Sequence, residues 1–312
     1  MKKVKYRKDV HYFIDMVGMA SDCVGSVTID NKYALIQVHP TYSIAVVPPI
    51  GTNHPTFEEV VFYTNCLTYE HDLPAFISPA VRKRKALVQP IEKGQTRYIS
   101  NSYFDSIGMA CEAINSIRLG PLGYVWFKWP GFDKEVDLPY SKKYLGVTKE
   151  ISLYSAAIRQ LDPLSEFLNY YRVIESVSGS DGKSWISKNL PKLKSYDFGF
   201  LEFGTDAPFA RARKRRRINV FSVYRRRALA RLKKLKDNLP RRDITEYFYN
   251  ENRCGIAHGR SNVKIYDFKY NVENISKDCY ILKLLSRIAI ADKIKDVRSS
   301  TCITAGNRPI RK

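Results

Sequence analysis

Two textures of apolar patterning divide this chain near Gly146. Before it, apolar residues alternate with polar ones in short runs rich in β-branched and aromatic side chains, the signature of strands. Val24–Asp30 and Tyr33–His39 form such a pair, joined at Asp30-Asn31-Lys32 as in a hairpin. Ser43–Val47 is a third run and ends at Pro48-Pro49. Glu59–Leu67 (EVVFYTNCL) and Gly123–Trp129 (GYVWFKW) are expected to be further strands. Between them, Asp105–Ile117 predicts a helix, with Ile107, Cys111, Ile114 and Ile117 on one stripe.

After Gly146 the period becomes helical. A helix is expected over Glu150–Gln160, and a stronger one starts at Asp162-Pro163, with Asp as N-cap and Pro at the first helical position. Leu164, Leu168, Tyr171 and Glu175 follow at helical spacing, Leu161, Phe167, Ile174 and Val177 widen the apolar face, and Ser178–Gly182 ends it. The stretch from Gly182 to Pro208 has weak signals and is expected to be irregular. Ile218–Asn238 is amphipathic, with Phe221, Tyr224, Ala228, Leu232, Leu235 and Leu239 stepping by three or four. Asp243 to Ala257 predicts the next helix, stopped by Gly259, and Ser276–Lys295 the last, with Ile281, Leu284, Leu285 and Ile288 inward. The fold class expected is α+β: a β-rich domain over 1–148, an antiparallel helical bundle over 149–297 carrying a basic insertion at 209–242, and a flexible tail over 298–312.

A hydrophobic content of 44% is that of a globular chain. The six cysteines are scattered, without a CxxC pair or a Cys/His cluster, which argues against both a disulfide framework and a structural metal, and no cofactor is expected. The basic N-terminus lacks the apolar run of a signal peptide, and nothing approaches a membrane span, so a cytoplasmic protein without a membrane partner is expected.

Charge changes the picture. Of the net +21, residues 151–312 hold +18, and Arg211 to Arg242 alone contains 15 Lys and Arg against one acid, Asp237. Such a run attracts a polyanion by counterion release, which makes nucleic acid the expected partner, with an anionic membrane surface as the alternative. The candidate nucleic-acid contacts are Arg211, Arg213, Lys214, Arg215, Arg216 and Arg217, followed on the amphipathic helix by Arg225, Arg226, Arg227 and Arg231. Immediately downstream lies Arg253-x4-His258, and His258 is the only histidine after His71. Arginine clamps phosphate with a planar fork, and histidine moves protons near neutral pH. Glu246 and Asn250 fall on the same polar stripe as Arg253 and are expected to orient it, completing a candidate catalytic set of Arg253, His258, Asn250 and Glu246.

The segments Phe167–Glu175 (FLNYYRVIE) and Asn252–Gly259 (NRCGIAHG) resemble the paired signatures of the HEPN superfamily, in its ApeA-like and MauJ-like branch. There, a helix with a Tyr-Arg-x-x-Glu pattern precedes a helix ending in an Arg-x4-His-Gly type of motif. The resemblance covers residues 150–297 and implies a HEPN-like bundle and a metal-independent endoribonuclease, typically dimeric, in phage defence or a toxin system. An antitoxin or sensor partner would go with such a system. Cys254 departs from the small polar residue usual after the motif arginine. The alternative is a catalytically inactive HEPN-like module that binds RNA or other nucleic acid. Residues five apart on an ideal α-helix point about 140° away from each other. Arg253 and His258 are therefore not natural neighbours on one helix: either Gly255 and Gly259 let the last turn unwind or a second protomer completes the site, and a homodimer through the helical half is expected.

Overall fold

The computed structural model describes residues 6–7, 9–17, 26–30, 33–38, 43–80, 124–126, 140–199, 201, 219–239, 243–258 and 272–306. The helix expected at 105–117 lies outside them, as does the basic run from Arg211 to Arg217. The fold is α+β, and the chain divides into two compact units, Met1–Leu145 and Gly146–Lys312.

Six antiparallel strands form the sheet of the first unit: β1 (Tyr12–Met16), β2 (Ser26–Asp30), β3 (Tyr33–Val38), β4 (Ser43–Val47), β5 (Ala75–Pro79) and β6 (Tyr124–Trp126), in the order β5-β1-β4-β3-β2-β6. The expected hairpin is present, with Asp30 opposite Tyr33 and Val27 opposite Ile36. β4 is central and every side chain on it is buried, which explains an apolar run without alternation.

Glu59–Leu67 is not a strand. It lies within helix α1, Phe57–His71. Thr56 caps it: the Thr56 side chain accepts from the Glu59 N–H and the Glu59 carboxylate accepts from the Thr56 N–H. That reciprocal cap overrides the strand propensity of Val60, Val61, Phe62 and Tyr63. Val60, Tyr63, Thr64 and Leu67 then recur on the buried face at helical spacing. The Tyr33 hydroxyl donates to Glu59 across 2.7 Å, fixing helix to sheet. A short helix α2, Tyr140–Lys143, closes the unit.

The second unit is helical. Helix α3 is Thr148–Ile158 and helix α4 is Pro163–Ser178. As the sequence predicts, the Asp162 carboxylate accepts from the N–H groups of Leu164 and Ser165, Pro163 takes the first position, and Gly179 ends the helix in the left-handed region. The buried face of α4 is Phe167, Tyr170, Tyr171, Val173 and Ile174. Leu161 precedes the cap and is fully exposed, so it adds nothing to that face. The stretch expected to be irregular begins with helix α5 (Lys183–Asn189) and a 3-10 turn (Leu190–Lys194). Helix α6, Val220–Asn238, starts at Asn219, whose side chain caps the Phe221 N–H.

After it come a single turn α7 (Ile244–Glu246), a π segment (Tyr247–Arg253) and α8 (Cys254–His258). Helix α9 spans Glu273–Gly306. It begins before Ser276 and runs past 297, where a tail was expected, because neither glycine nor proline interrupts the sequence before Gly306. Ile281, Leu284, Leu285 and Ile288 are fully buried on it. Among the described residues, no helix is long and apolar enough to cross a membrane.

Candidate active site

The backbone around Arg253 sets the site. In the π segment the Cys254 N–H donates to the Tyr249 carbonyl, five residues back, in place of the α-helical four. The widened turn shifts the phase of the helix. Asn252 and Cys254 turn into the core, 6% and 4% exposed, while Arg253 between them points outward.

There Arg253 Nε donates to Glu175 Oε1 of α4 across 3.0 Å, with a quarter of the arginine side chain still accessible. Partial burial works against the guanidinium charge, but Glu175 more than offsets it, so the Arg253 pKa is raised. Arg253 Nη1 lies 3.3 Å from His258 Nε2. A guanidinium offers only donors, so the imidazole nitrogen accepts in this contact. Arg253 and His258 therefore do meet within one chain, and the angular argument against it fails. The arginine stem is long enough to cross the gap between two Cα positions that an ideal helix sets far apart. His258 itself is exposed at the end of α8, beyond which Gly259 lies outside the described residues.

Glu246 and Asn250 do not orient Arg253 in the way expected. Asn250 donates to Glu246, and Glu246 accepts from Lys183 Nζ at 3.1 Å. Glu175 holds Arg253 instead. Glu175 is the last residue of the Tyr-Arg-x-x-Glu pattern, so the signal was present in the sequence, but only folding shows which cation it meets. Lys183 is a second residue that sequence reasoning missed. Its ammonium lies 5.0 Å from the centroid of the Tyr249 ring, and the Arg253 guanidinium carbon is 5.8 Å from the same centroid. Two cations thus share one aromatic ring. The Tyr171 hydroxyl donates to the Asp181 carbonyl at 2.8 Å, and burial, reinforced by Glu175 and Asp181, pushes its pKa far above that of an ordinary phenol.

Behind the π segment lies a buried polar cluster. Asp278 of α9 is fully buried and accepts from Arg231 Nε at 2.7 Å, the Tyr247 hydroxyl at 2.7 Å and the Asn252 amide at 3.4 Å. Burial pushes the Asp278 carboxyl up, and these three donors oppose it. Arg231 also donates to Asn274 at 3.0 Å and to the Tyr247 hydroxyl at 3.1 Å, and is only 7% exposed. This corrects its reading as a nucleic-acid contact. A buried guanidinium committed to Asp278 cannot reach a phosphate on the surface.

The other cations of α6 divide. Arg225 is half-buried, donates to the Tyr196 carbonyl and stacks over Phe198 at 5.3 Å. Arg226, Arg227, Lys233, Lys234 and Lys236 are exposed, Arg227 donating to the Tyr280 hydroxyl. In the first unit, His54 stacks on His11 at 3.3 Å between centroids and lies 3.0 Å from Asp9.

A helical second unit with an Arg–His pair braced by a glutamate is the class that fold and site define. Residues 151–291, within that unit, match the model of a family described as methylamine utilization protein MauJ. No curated protein and no solved structure matches the chain.

Proposed function

We propose that this chain is a metal-independent endoribonuclease of HEPN type, acting in phage defence or a toxin system. The observation that carries the reading is the Arg253–His258 contact of 3.3 Å, with Glu175 bracing the arginine from behind. Cleavage without a metal uses the 2′-OH of the RNA as nucleophile and releases the 5′-oxygen, leaving a 2′,3′-cyclic phosphate. The nucleophile must lose a proton, the leaving oxygen must gain one, and the phosphorane between them needs positive charge. Arg253 supplies the charge, and His258 exchanges a proton with one of the two oxygens. A phosphate binding to Arg253 would therefore find an imidazole at hydrogen-bond distance from the same cation. A single histidine serves one oxygen at a time. We propose a homodimer because a second copy supplies the second proton-transfer group, His258 being the only histidine after His71.

The test is incubation of the full chain with total RNA in EDTA, beside His258→Ala and Arg253→Ala. Wild type should cut and leave cyclic phosphate ends, and each variant should lose nearly all activity, the pair together little more than either alone. Equal cutting by wild type and His258→Ala would refute the assignment. One observation favours a second reading, a non-catalytic RNA-binding module: the exposed cations of α6 do not depend on His258. RNA binding that is steeply salt-dependent, without cleavage, would establish it.

A further inference from the structure

The widened turn at Tyr247–Arg253 has no cause in its own sequence, YFYNENR, which holds neither glycine nor proline. Its side chains point to one outside the segment. Two donors to Asp278, the Tyr247 hydroxyl at 2.7 Å and the Asn252 amide at 3.4 Å, reach the same carboxylate oxygen, Oδ2. These two residues are five apart. On an α-helix they would point about 140° away from each other, and an asparagine side chain is too short to make up that difference as an arginine can. In a turn closed by bonds from residue i to i+5, residues five apart come into line. Convergence on one oxygen therefore goes with the π geometry and not with the α.

Asp278 is itself held in place. It is fully buried, and its other oxygen, Oδ1, accepts from Arg231 Nε of α6 at 2.7 Å. Burial, reinforced by Asp278, pushes the Tyr247 phenol well up, so the hydroxyl keeps its proton and donates. The rest of the turn sorts itself around this anchor. Phe248 is fully buried with its ring 6.3 Å from that of Phe167 on α4. Tyr249 and Arg253 also face α4, the Tyr249 ring 6.4 Å from Tyr171 and the Arg253 guanidinium on Glu175. Tyr247 and Asn252 on α9, with Tyr249 and Arg253 on α4, fix the turn from two sides.

We infer that Asp278 is the positioning residue for Arg253: by collecting Tyr247 and Asn252 on one oxygen it holds the π turn open, and the open turn sets Arg253 against Glu175 and His258. Asp278 acts through the backbone of the turn rather than on Arg253 itself. Its link to cleavage rests on the reading of Arg253 and His258 as the cleavage pair, whereas its link to the placement of Arg253 does not.

Asp278→Asn would strip Arg231 of its counter-charge and endanger the fold, so the test uses the two donors, Tyr247→Phe and Asn252→Leu, in the full chain. Circular dichroism verifies that each is folded. The first readout is the NMR resonance of the Arg253 Nε–H, identified by its loss in Arg253→Lys. In both variants it should move towards its position in Glu175→Ala, where the arginine has no brace. The second is RNA cleavage, in which kcat should fall on the order of tenfold with KM within about twofold of wild type. Ser286→Ala is the control for a loss of stability alone. Ser286 is also fully buried on α9 and donates to the Tyr170 carbonyl at 2.9 Å, away from the turn. It should leave the resonance and the rate as in wild type. If the wild-type chain cuts no RNA but the resonance moves in both donor variants, the cleavage reading fails and the role of Asp278 stands. A resonance unmoved in the folded donor variants, or moved as far by Ser286→Ala, would overturn the inference.

Discussion

Arg231→Ala separates a structural cation from the basic surface around it. In the folded protein Arg231 is 7% exposed, Asp278 is fully buried, and two guanidinium nitrogens face the two carboxylate oxygens at 2.7 and 3.4 Å. Truncation leaves Asp278 with two neutral donors, the Tyr247 hydroxyl and the Asn252 amide, and no opposing charge. Breaking one side of a buried pair costs about 3–5 kcal/mol. Asn274 loses a donor as well, but it is only half-buried and water can replace it. In urea, followed by the helical signal, an m-value of roughly 2–3 kcal/mol/M converts this loss to a fall in midpoint of about 1–2 M. The fall should not depend on salt, because a buried pair is little screened. Arg226→Ala, on an exposed face of the same helix, should stay within about 0.5 kcal/mol of wild type. Replacing both charges, as Arg231→Met with Asp278→Leu, should recover much of the loss. A cost below about 1 kcal/mol for Arg231→Ala would refute the claim that this pair is desolvated and structural.

Glu175→Gln should lower the rate of RNA cleavage at least tenfold with RNA affinity little changed, and cost under about 1 kcal/mol of stability because both partners are partly accessible; a wild-type rate would mean that Arg253 needs no brace. Burial opposes ionisation of Glu150, but Lys293 at 2.8 Å and Ser176 at 2.6 Å outweigh it, so its pKa is lowered from 4.5. The stability this carboxylate contributes is therefore present above about pH 4.5 and lost as pH falls through the lowered value; thermal melts of Glu150→Gln should show a flatter acid limb than wild type. Gly182 has φ of +79°, and a Cβ there would lie 3.2 Å from Ile174 Cγ2. Gly182→Ala should cost about 1–2 kcal/mol, read as a fall in Tm of roughly 3–6 °C.

Much of the helical unit was legible because its signals are local. Asp162-Pro163 at the start of α4 and the stripe from Phe221 to Leu235 on α6 state their own structure within a few residues. Glu59–Leu67 misled because Val60 to Tyr63 favour strands in isolation, although Thr56 and Glu59 already spelled a capping box. Helix α5 has only seven residues, too few for its period to be read. The candidate site was half legible. Arg253 and His258 stand out by residue type and spacing, but the partner of Arg253 is 78 residues away and is chosen by packing. Arg231 looked like its neighbours in the basic run, and only burial distinguishes it.

The π turn at Tyr247–Arg253 has a consequence for how this stretch can change over time. It adds, in effect, one residue of register to an otherwise ordinary helix, so the residues before it and those after it keep separate phases. A one-residue deletion inside the turn need not break the helix; it would let it close into regular α geometry. Because the deletion removes the same residue of register that the wide turn absorbs, the helix downstream would keep its facing, whereas closing the turn with all seven residues in place would rotate everything downstream by about 100° and carry His258 away from Glu175.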